Sequence, residues 1–218
     1  LPGPDDGVLV WGASPTAWRG EALAARRGAA LVRVEDAFLR SVLPGRAGGA
    51  APLGLLVDPV GVHFDGSRPS RIEQVLGDAS LYNSNILDDA SQLTHCFLES
   101  GLSKYNNFDP DLPCPDPGYV LVIDQTRGDA SIRWAGASAA TFNAMLARAK
   151  LDHPEARIIL RSHPETTLGL RTGHFGPADA GGRVSLLTAP VPPHRLLAGA
   201  AAVYTVSSQL GFEAILHG

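Results

Sequence analysis

Two segments of the sequence place phosphate-capable groups directly after apolar runs of strand length. Arg161-Ser162-His163-Pro164-Glu165 follows Ile158-Ile159-Leu160, and Ser207-Ser208 follows Ala202-Val203-Tyr204-Thr205-Val206. In an open α/β sheet, ligands lie where strands end and helices begin. Ser207 and Ser208 are suited to cap the helix after them. A helix start of that kind offers unpaired N–H groups and a partial positive charge to an anion. Arg161 and His163 supply further donors. Taken singly, a Ser pair is a cap and a His-Pro is a turn. Both together, at the ends of two strands of one sheet, point to an anion site. His153-Pro154 is an internal control, since it falls between a helix and a strand at the opposite sheet edge and reads as plain loop.

Carboxylates extend the set. Glu35 follows the apolar run Ala30–Val34, with Asp36 and Arg40 behind it, and Asp124, Gln125, Arg127 and Asp129 follow Tyr119–Ile123. In parallel sheets such loops share one edge, so they are predicted to converge across a cleft. The inventory suits a phosphate-bearing donor together with general acid/base or nucleophilic carboxylate chemistry. The competing readings are an ion pair of Glu35 with Arg33 or Arg40 and a turn-capping role for Asp129. Other chemistries lack their motifs. Gly12-Ala13-Ser14 is too little for a dinucleotide fingerprint, and no Gly-x-Ser-x-Gly elbow exists. His63, His95, His174, His194 and His217 have no metal-ligand spacing with carboxylates, so neither a metal nor a cofactor is expected.

The elements that must position these groups read as β-α-β twice over. Val8–Trp11 is a strand, Pro15 opens a helix that runs to Arg27, and Ala30–Val34 is the next strand. Residues 41–52 read as loop, and Leu53–Asp58 and Val62–Phe64 bracket Asp58-Pro59-Val60-Gly61 as a small hairpin or a strand pair. Ser70 with Glu73 forms a capping box for a helix ending near Leu76. A longer helix is predicted over Asp88–Glu99, with Ala90, Leu93, Phe97 and Leu98 on one face. Pro110, Pro113, Pro115 and Pro117 mark a linker. After it come a strand at Tyr119–Ile123, a polar loop over 124–133, and a helix from Ala139 to Lys150 with Phe142, Met145, Leu146 and Ala149 inward. Strands at Arg157–Leu160 and Val184–Leu187, a short helix Pro193–Ala198 and a last helix Ser208–His217 complete it. The expectation is an α/β protein of two lobes, residues 1–117 and 118–218, with a ligand cleft between them.

Composition narrows the function classes. Of 218 residues, 44% are hydrophobic and 18% charged, which supports a core and argues against disorder. A net charge of −4 gives no support for nucleic-acid binding. Cys96 and Cys114 form no Cys-x-x-Cys pair, which fits a reducing cytoplasm. No apolar run has the length of a membrane span, although peripheral contact with a membrane is compatible with the sequence. The chain starts almost on its first strand and stops just after a helix, so it reads as a piece of something longer.

Five stretches, in order, resemble a known family. Glu35-Asp36-Ala37-Phe38-Leu39-Arg40-Ser41 resembles the Glu-Asp-Gly-Phe-Leu-Arg-Ser stretch of bacterial capsule-polysaccharide β-Kdo transferases of the KpsC type. Gly101-Leu102-Ser103-Lys104-Tyr105-Asn106 is similar to a second stretch. So are Asp124-Gln125 with Gly128-Asp129-Ala130-Ser131-Ile132, Arg161–Glu165, and Ser207-Ser208 with Gly211-Phe212-Glu213. The pattern also looks like that of bacterial sialyltransferases. The resemblance implies a GT-B-like fold of two Rossmann-like lobes, CMP-Kdo as donor, a lipid-linked Kdo acceptor, no metal, and a retaining mechanism. It gives Asp129 the role of nucleophile, with Asp124 as runner-up, and Glu35 that of acid/base. It gives His163, Ser207 and Ser208 the phosphate, and Glu213 the ribose, with Gln125 and Arg161 also on the donor. Charge alone offers Arg127 or Arg161 to the Kdo carboxylate. Two departures stand out. Ala37 replaces the family's Gly, and the family continues past Gly218, so the second lobe is expected to be incomplete. The alternatives are a truncated, non-catalytic nucleotide-binding module and a transferase for another CMP-activated acid sugar such as a sialic acid. The expected location is cytoplasmic, at the inner face of the inner membrane.

Overall fold

A computed structural model describes residues 2–49 and 51–218. The first lobe is built on three strands, β1 (Gly7–Trp11), β2 (Ala30–Asp36) and β3 (Leu55–Asp58), in the order β1-β2-β3. β1 and β2 run parallel, joined by helix α1 (Ala17–Arg27), which ends at Gly28 in the left-handed region, φ 64°. Gly20 lets α1 lie close on the sheet, because a Cβ there would stand 2.3 Å from Val10 Cγ1. β3 runs antiparallel to β2, with Arg33 opposite Asp58 and Asp36 opposite Leu55. The expected hairpin of 53–58 with 62–64 therefore does not form. Asp58 explains why: its Oδ1 accepts from the backbone N–H of Val60 (2.7 Å) and Gly61 (2.9 Å), and its Oδ2 from Arg71 N–H (2.8 Å). Those bonds fold the chain into an Asx turn rather than a return strand.

Helix α2 (Arg71–Leu76) starts at the predicted capping box of Ser70 and Glu73. Helix α3 (Ser84–Ser100) begins four residues before the predicted start, because the Asn83 side chain caps it by accepting from Ile86 N–H (3.1 Å). Its predicted apolar face is only partly used. Leu93 is 71% exposed, whereas Phe97 meets Phe38 edge-on at 5.2 Å.

The second lobe is a four-stranded, fully parallel sheet of β4 (Tyr119–Ile123), β5 (Ile158–Arg161), β6 (Val184–Leu187) and β7 (Ala200–Tyr204), ordered β6-β5-β4-β7. Every residue of β4 is buried, as expected of a central strand covered on both faces. Val120 and Val122 point into one cluster with Phe142, Met145 and Leu146 of helix α5 (Ala139–Asp152), and Ile158 and Leu160 of β5 join them. Tyr119, Leu121 and Ile123 point into the other, with Leu196 and Leu197 of helix α7 (Pro193–Gly199) and Leu210 of helix α8 (Gln209–His217). Two short helices escaped the sequence pattern: α4 (Ala130–Trp134), inside the expected polar loop, and α6 (Pro164–Thr167), after the Arg-Ser-His-Pro stretch. Each is one turn long, too short for any apolar period to show.

The proline-rich segment is docked, not free. Asp109 N–H donates to the Pro190 carbonyl (2.9 Å), and Arg195 Nη1 donates to those of Pro110 (2.7 Å) and Leu112 (3.1 Å). Leu112 and Cys114 pack on the second core. Among the described residues, no helix is long and apolar enough to cross a membrane.

Phe142 is fully buried at the centre of the first cluster and stacks on the His174 ring at 3.7 Å. Phe142→Ala is expected to lower stability by about 3–5 kcal/mol, read by urea denaturation. A loss under ~1 kcal/mol would show that this cluster does not hold the lobe.

Candidate active site

The order β6-β5-β4-β7 reverses direction at β4, since β5 and β6 lie on one side of it and β7 on the other. Such a reversal leaves a crevice beyond the carboxyl ends of the strands. The residues that follow β4 and β7 meet there. Gln125 Nε2 donates to Ser207 Oγ (3.1 Å), and Ser207 N–H donates to Gln125 Oε1 (3.0 Å). Ser131 Oγ lies 3.2 Å from Ser207 Oγ and donates to Asp129 Oδ1 (2.8 Å). Asp129, Gln125 and Ser207 therefore form one connected set, as their loop positions predicted. Ser208 caps α8 by accepting from Leu210 N–H (3.3 Å).

Asp129 is also the cap of α4, and the same Oδ1 accepts from Ser131 N–H (2.9 Å). The capping reading and the functional reading thus hold together: Oδ1 is fixed by Ser131, while Oδ2 has no hydrogen-bond partner among the described residues. Asp124 has a different fate. It is 1% exposed and accepts from the backbone N–H groups of Gln125 (2.8 Å), His174 (2.9 Å) and Phe175 (3.3 Å). Its carboxylate ties the end of β4 to the 173–175 loop. Gly173 is needed for that tie, because a Cβ there would stand 2.1 Å from Asp124 Oδ2.

His163 sits beyond β5. Its Nδ1 accepts from Glu165 N–H (3.1 Å), which leaves Nε2 to carry the ring proton of the neutral form. Burial, reinforced by the charges of Lys104 and Arg161, pushes its pKa down to about 4. At neutral pH His163 is an uncharged donor. Arg161 lies beside Glu213, and burial lowers its pKa to about 10, which leaves it charged. Arg127 is exposed and lies outside the cleft wall, so of the two arginines offered to a sugar carboxylate only Arg161 lines the cleft.

The first lobe supplies the opposite wall. Glu35, one residue before the end of β2, lies beneath the turn at Gly12, where φ is 40° and a Cβ would stand 1.6 Å from Glu35 Oε1. Gly12 thus serves to house a carboxylate. Burial, helped by the neighbouring charges of Asp36 and Asp129, pushes the Glu35 pKa up to about 7. Arg40 does not pair with Glu35; its Nε donates to Asp36 (3.0 Å) and its Nη1 to Ser41 Oγ (2.7 Å). Arg33 pairs with Glu21 (2.8 Å). The ion-pair reading of Glu35 is therefore not what the structure contains. Glu35, Asp129, His163, Ser207, Ser208 and Glu213 all line one cleft.

Glu213 lines it from a buried position. It is 2% exposed and accepts from Ser103 Oγ (2.8 Å), Gln209 Nε2 (3.2 Å) and Lys104 N–H (3.4 Å). Its oxygens hold the segment that connects the lobes, so a ribose hydroxyl would compete with those partners. Residues 103–106, which the sequence tied to the site only through a resemblance, form this hinge. Among the described residues, no group of three His, Cys, Asp or Glu could hold a metal ion.

The two perturbed groups act on stability with opposite signs. Glu35 favours its protonated form in the fold, so its contribution is full below 4.5 and is lost as pH rises through about 7. His163 favours its neutral form, so its contribution is present above 6.5 and is lost as pH falls through about 4. Gly12→Ala should evict the Glu35 side chain, and in a carbon-13 titration Glu35 should then fall toward the ordinary carboxylate range. A Glu35 that still titrates near 7 in that variant would contradict this geometry.

Comparison with known proteins gives the family. The family described as "Capsule polysaccharide biosynthesis protein" matches residues 6–114 and 112–218. "Capsule polysaccharide modification protein LipA" of Neisseria meningitidis serogroup B is 38% identical over 219 residues, covering 98% of this chain and 31% of that protein. "Lipopolysaccharide-processing protein LpsZ" of Rhizobium meliloti is 36% identical over 192 residues, covering 86% of this chain and 43% of that protein. The chain thus spans less than half the length of either relative. Among solved structures, the β-Kdo 2,4 transferase of Thermosulfurimonas dismutans KpsC superposes with a TM-score of 0.91 at 34% identity, over 100% of this chain and 69% of that one. The β-Kdo 2,7 transferase of the same protein superposes at 0.63 and 22% identity, over 97% of this chain and 62% of that one, a likeness of fold. With its GT-B-like α/β architecture and a family match along nearly its whole length, the chain belongs to the capsule polysaccharide biosynthesis proteins.

Proposed function

We propose that this chain carries the reaction centre of a retaining glycosyltransferase that moves Kdo from CMP-Kdo to a lipid-linked Kdo acceptor in capsule synthesis. The observation that carries this reading is that Glu35 of the first lobe and Asp129 of the second line one cleft, close enough for Asp129 to raise the Glu35 pKa. The likeness to the β-Kdo 2,4 transferase supports both the sugar and transfer to a 4-hydroxyl. The proposed site of work is the cytoplasmic face of the inner membrane, where a lipid-linked acceptor and a nucleotide-activated donor would meet.

The chemistry follows from what each group can offer. The unengaged Oδ2 of Asp129 attacks the anomeric carbon, and the bond from that carbon to the CMP phosphate oxygen breaks. CMP departs with the bonding electron pair. A phosphate is a stable leaving group, so hydrogen-bond donors suffice to carry its growing charge. The Nε2–H of His163 and the Ser207-Ser208 turn ahead of α8 are the donors in place. In the second step Glu35, as carboxylate, takes the proton of the acceptor hydroxyl. The acceptor oxygen then attacks the same carbon, and the bond to Asp129 breaks. Two inversions give net retention, the two-carboxylate logic of retaining glycosidases. A pKa near 7 suits a base that must be free at neutral pH and yet hold a proton.

Incubation of the protein with CMP-Kdo and a Kdo-terminated lipid, followed by mass spectrometry, tests this. Product and a Kdo-sized increment on the protein are expected. Asp129→Ala should lose the increment and about 10³-fold or more of the rate. Glu35→Gln should slow transfer to the acceptor by about 10²–10⁴-fold and abolish the rise in rate through pH 7. An increment that survives Asp129→Ala, or activity indifferent to both changes, would refute the assignment. A donor panel that includes a CMP-linked sialic acid fixes the sugar.

A further inference from the structure

Lys104 is fixed at its backbone from both lobes. Its carbonyl accepts from the N–H groups of Arg40 (3.1 Å) and Ser41 (3.3 Å) in the first lobe, and its own N–H donates to Glu213 (3.4 Å) in the second. Ser103 and Tyr105 are pinned on either side, the first by its bond to Glu213 (2.8 Å) and the second by a backbone bridge to Ser41. Its backbone is thus held at the wall of the cleft it lines.

Its side chain is half-buried, with Nζ 5.5 Å from the centre of the Tyr105 ring. Among the described residues, no carboxylate lies within ion-pairing distance of it. Other half-buried or buried cations of the cleft wall have one nearby: Arg40 has Asp36 (3.0 Å), Arg171 has Glu165 (3.5 Å) and Arg161 has Glu213 beside it. The charge of Lys104 reaches Glu35 on one wall and His163 on the other. An ammonium on the cleft wall with no carboxylate partner, set between an acceptor-side base and the phosphate turn, is suited to an incoming anion.

We propose that Lys104 pairs with the carboxylate of an acid sugar at the reaction centre, and so selects acid sugars over neutral ones. In the proposed reaction the reacting carbon lies between Glu35 and His163, which line one cleft, and in a keto-sugar acid the carboxylate is attached to that carbon. A lysine serves as a point charge that can follow the carboxylate through the reaction. The same chemistry could come from the donor sugar or from the acceptor sugar beside it. This inference rests on the transferase reading above, and the experiment keeps the two apart.

Calorimetry would compare the affinity of CMP with that of CMP-Kdo, in the protein and in Lys104→Met and Lys104→Arg. Donor and acceptor kinetics would be run in parallel. Lys104→Met should keep CMP affinity within about twofold, which also shows that the fold survives. It should lose about tenfold or more in CMP-Kdo affinity or in kcat/KM for the donor, with partial recovery in Lys104→Arg. A loss confined to acceptor KM would assign the carboxylate to the acceptor sugar and still support the pairing. A parallel loss of CMP affinity would overturn the proposal in favour of a phosphate contact, and unchanged binding and kinetics would leave Lys104 a solvated surface charge. If the unaltered protein binds CMP-Kdo more tightly than CMP but makes no product, the transferase reading fails, and the Lys104→Met margin still decides this one.

Discussion

The carboxylate of Glu213 is almost wholly buried, and it stands where the chain passes from one lobe to the other. Burial alone pushes its pKa up, because a charged group loses its water there. Ser103, Gln209 and the Lys104 N–H offset that cost, with the Arg161 charge nearby. Gln209 also donates to the Phe38 carbonyl (2.8 Å) in the first lobe. Phe38 adds apolar contact, with Phe97 on one side and Phe212 (5.8 Å) on the other. A buried acid with its partners drawn from the hinge, α8 and β5 fixes how the two sheet edges approach one another. The shape of the cleft depends on that approach.

Given it, the chemistry is divided by environment. The two candidate carboxylates differ in how they are held. Glu35 lies in a niche that only a glycine at position 12 leaves open, and desolvation there favours its proton. Asp129 is half-buried, and Ser131 hydrogen-bonds one of its oxygens twice. In the proposed reaction the first exchanges a proton near neutrality, and the second offers its unengaged oxygen to the anomeric carbon. His163 supplies a donor without adding charge, since its neighbours Lys104 and Arg161 already make the region positive.

Much of this was legible in the sequence, and the rest was hidden for physical reasons. Tyr119–Ile123 read as a strand because a buried parallel strand is a continuous apolar run. The Ser70–Glu73 box read as a helix start because its chemistry is local. The convergence of Asp129, His163 and Ser207 could be anticipated because parallel strands carry their following loops to a shared edge, whereas Glu35 reaches the cleft from the other sheet. The pairing of β3 was missed because an Asx turn at Asp58 competes with a hairpin, and sequence alone does not weigh the two. The docking of residues 109–114 was missed because proline content signals stiffness but not what the chain packs against. Glu213 looked like a ligand residue, whereas its partners Ser103 and Lys104 lie over a hundred positions away, beyond any local pattern.

In the proposed reading, one cleft holds the carboxylates of both lobes around a single anion site. A crystal of the protein soaked with CMP tests it most directly. The phosphate is expected at the carboxyl end of β7, within hydrogen-bond reach of His163 Nε2 and the Ser207-Ser208 turn, with Asp129 beside it and Glu35 opposite. A phosphate bound on the first lobe, or one in the cleft that leaves His163 and Ser208 without contact, would contradict it.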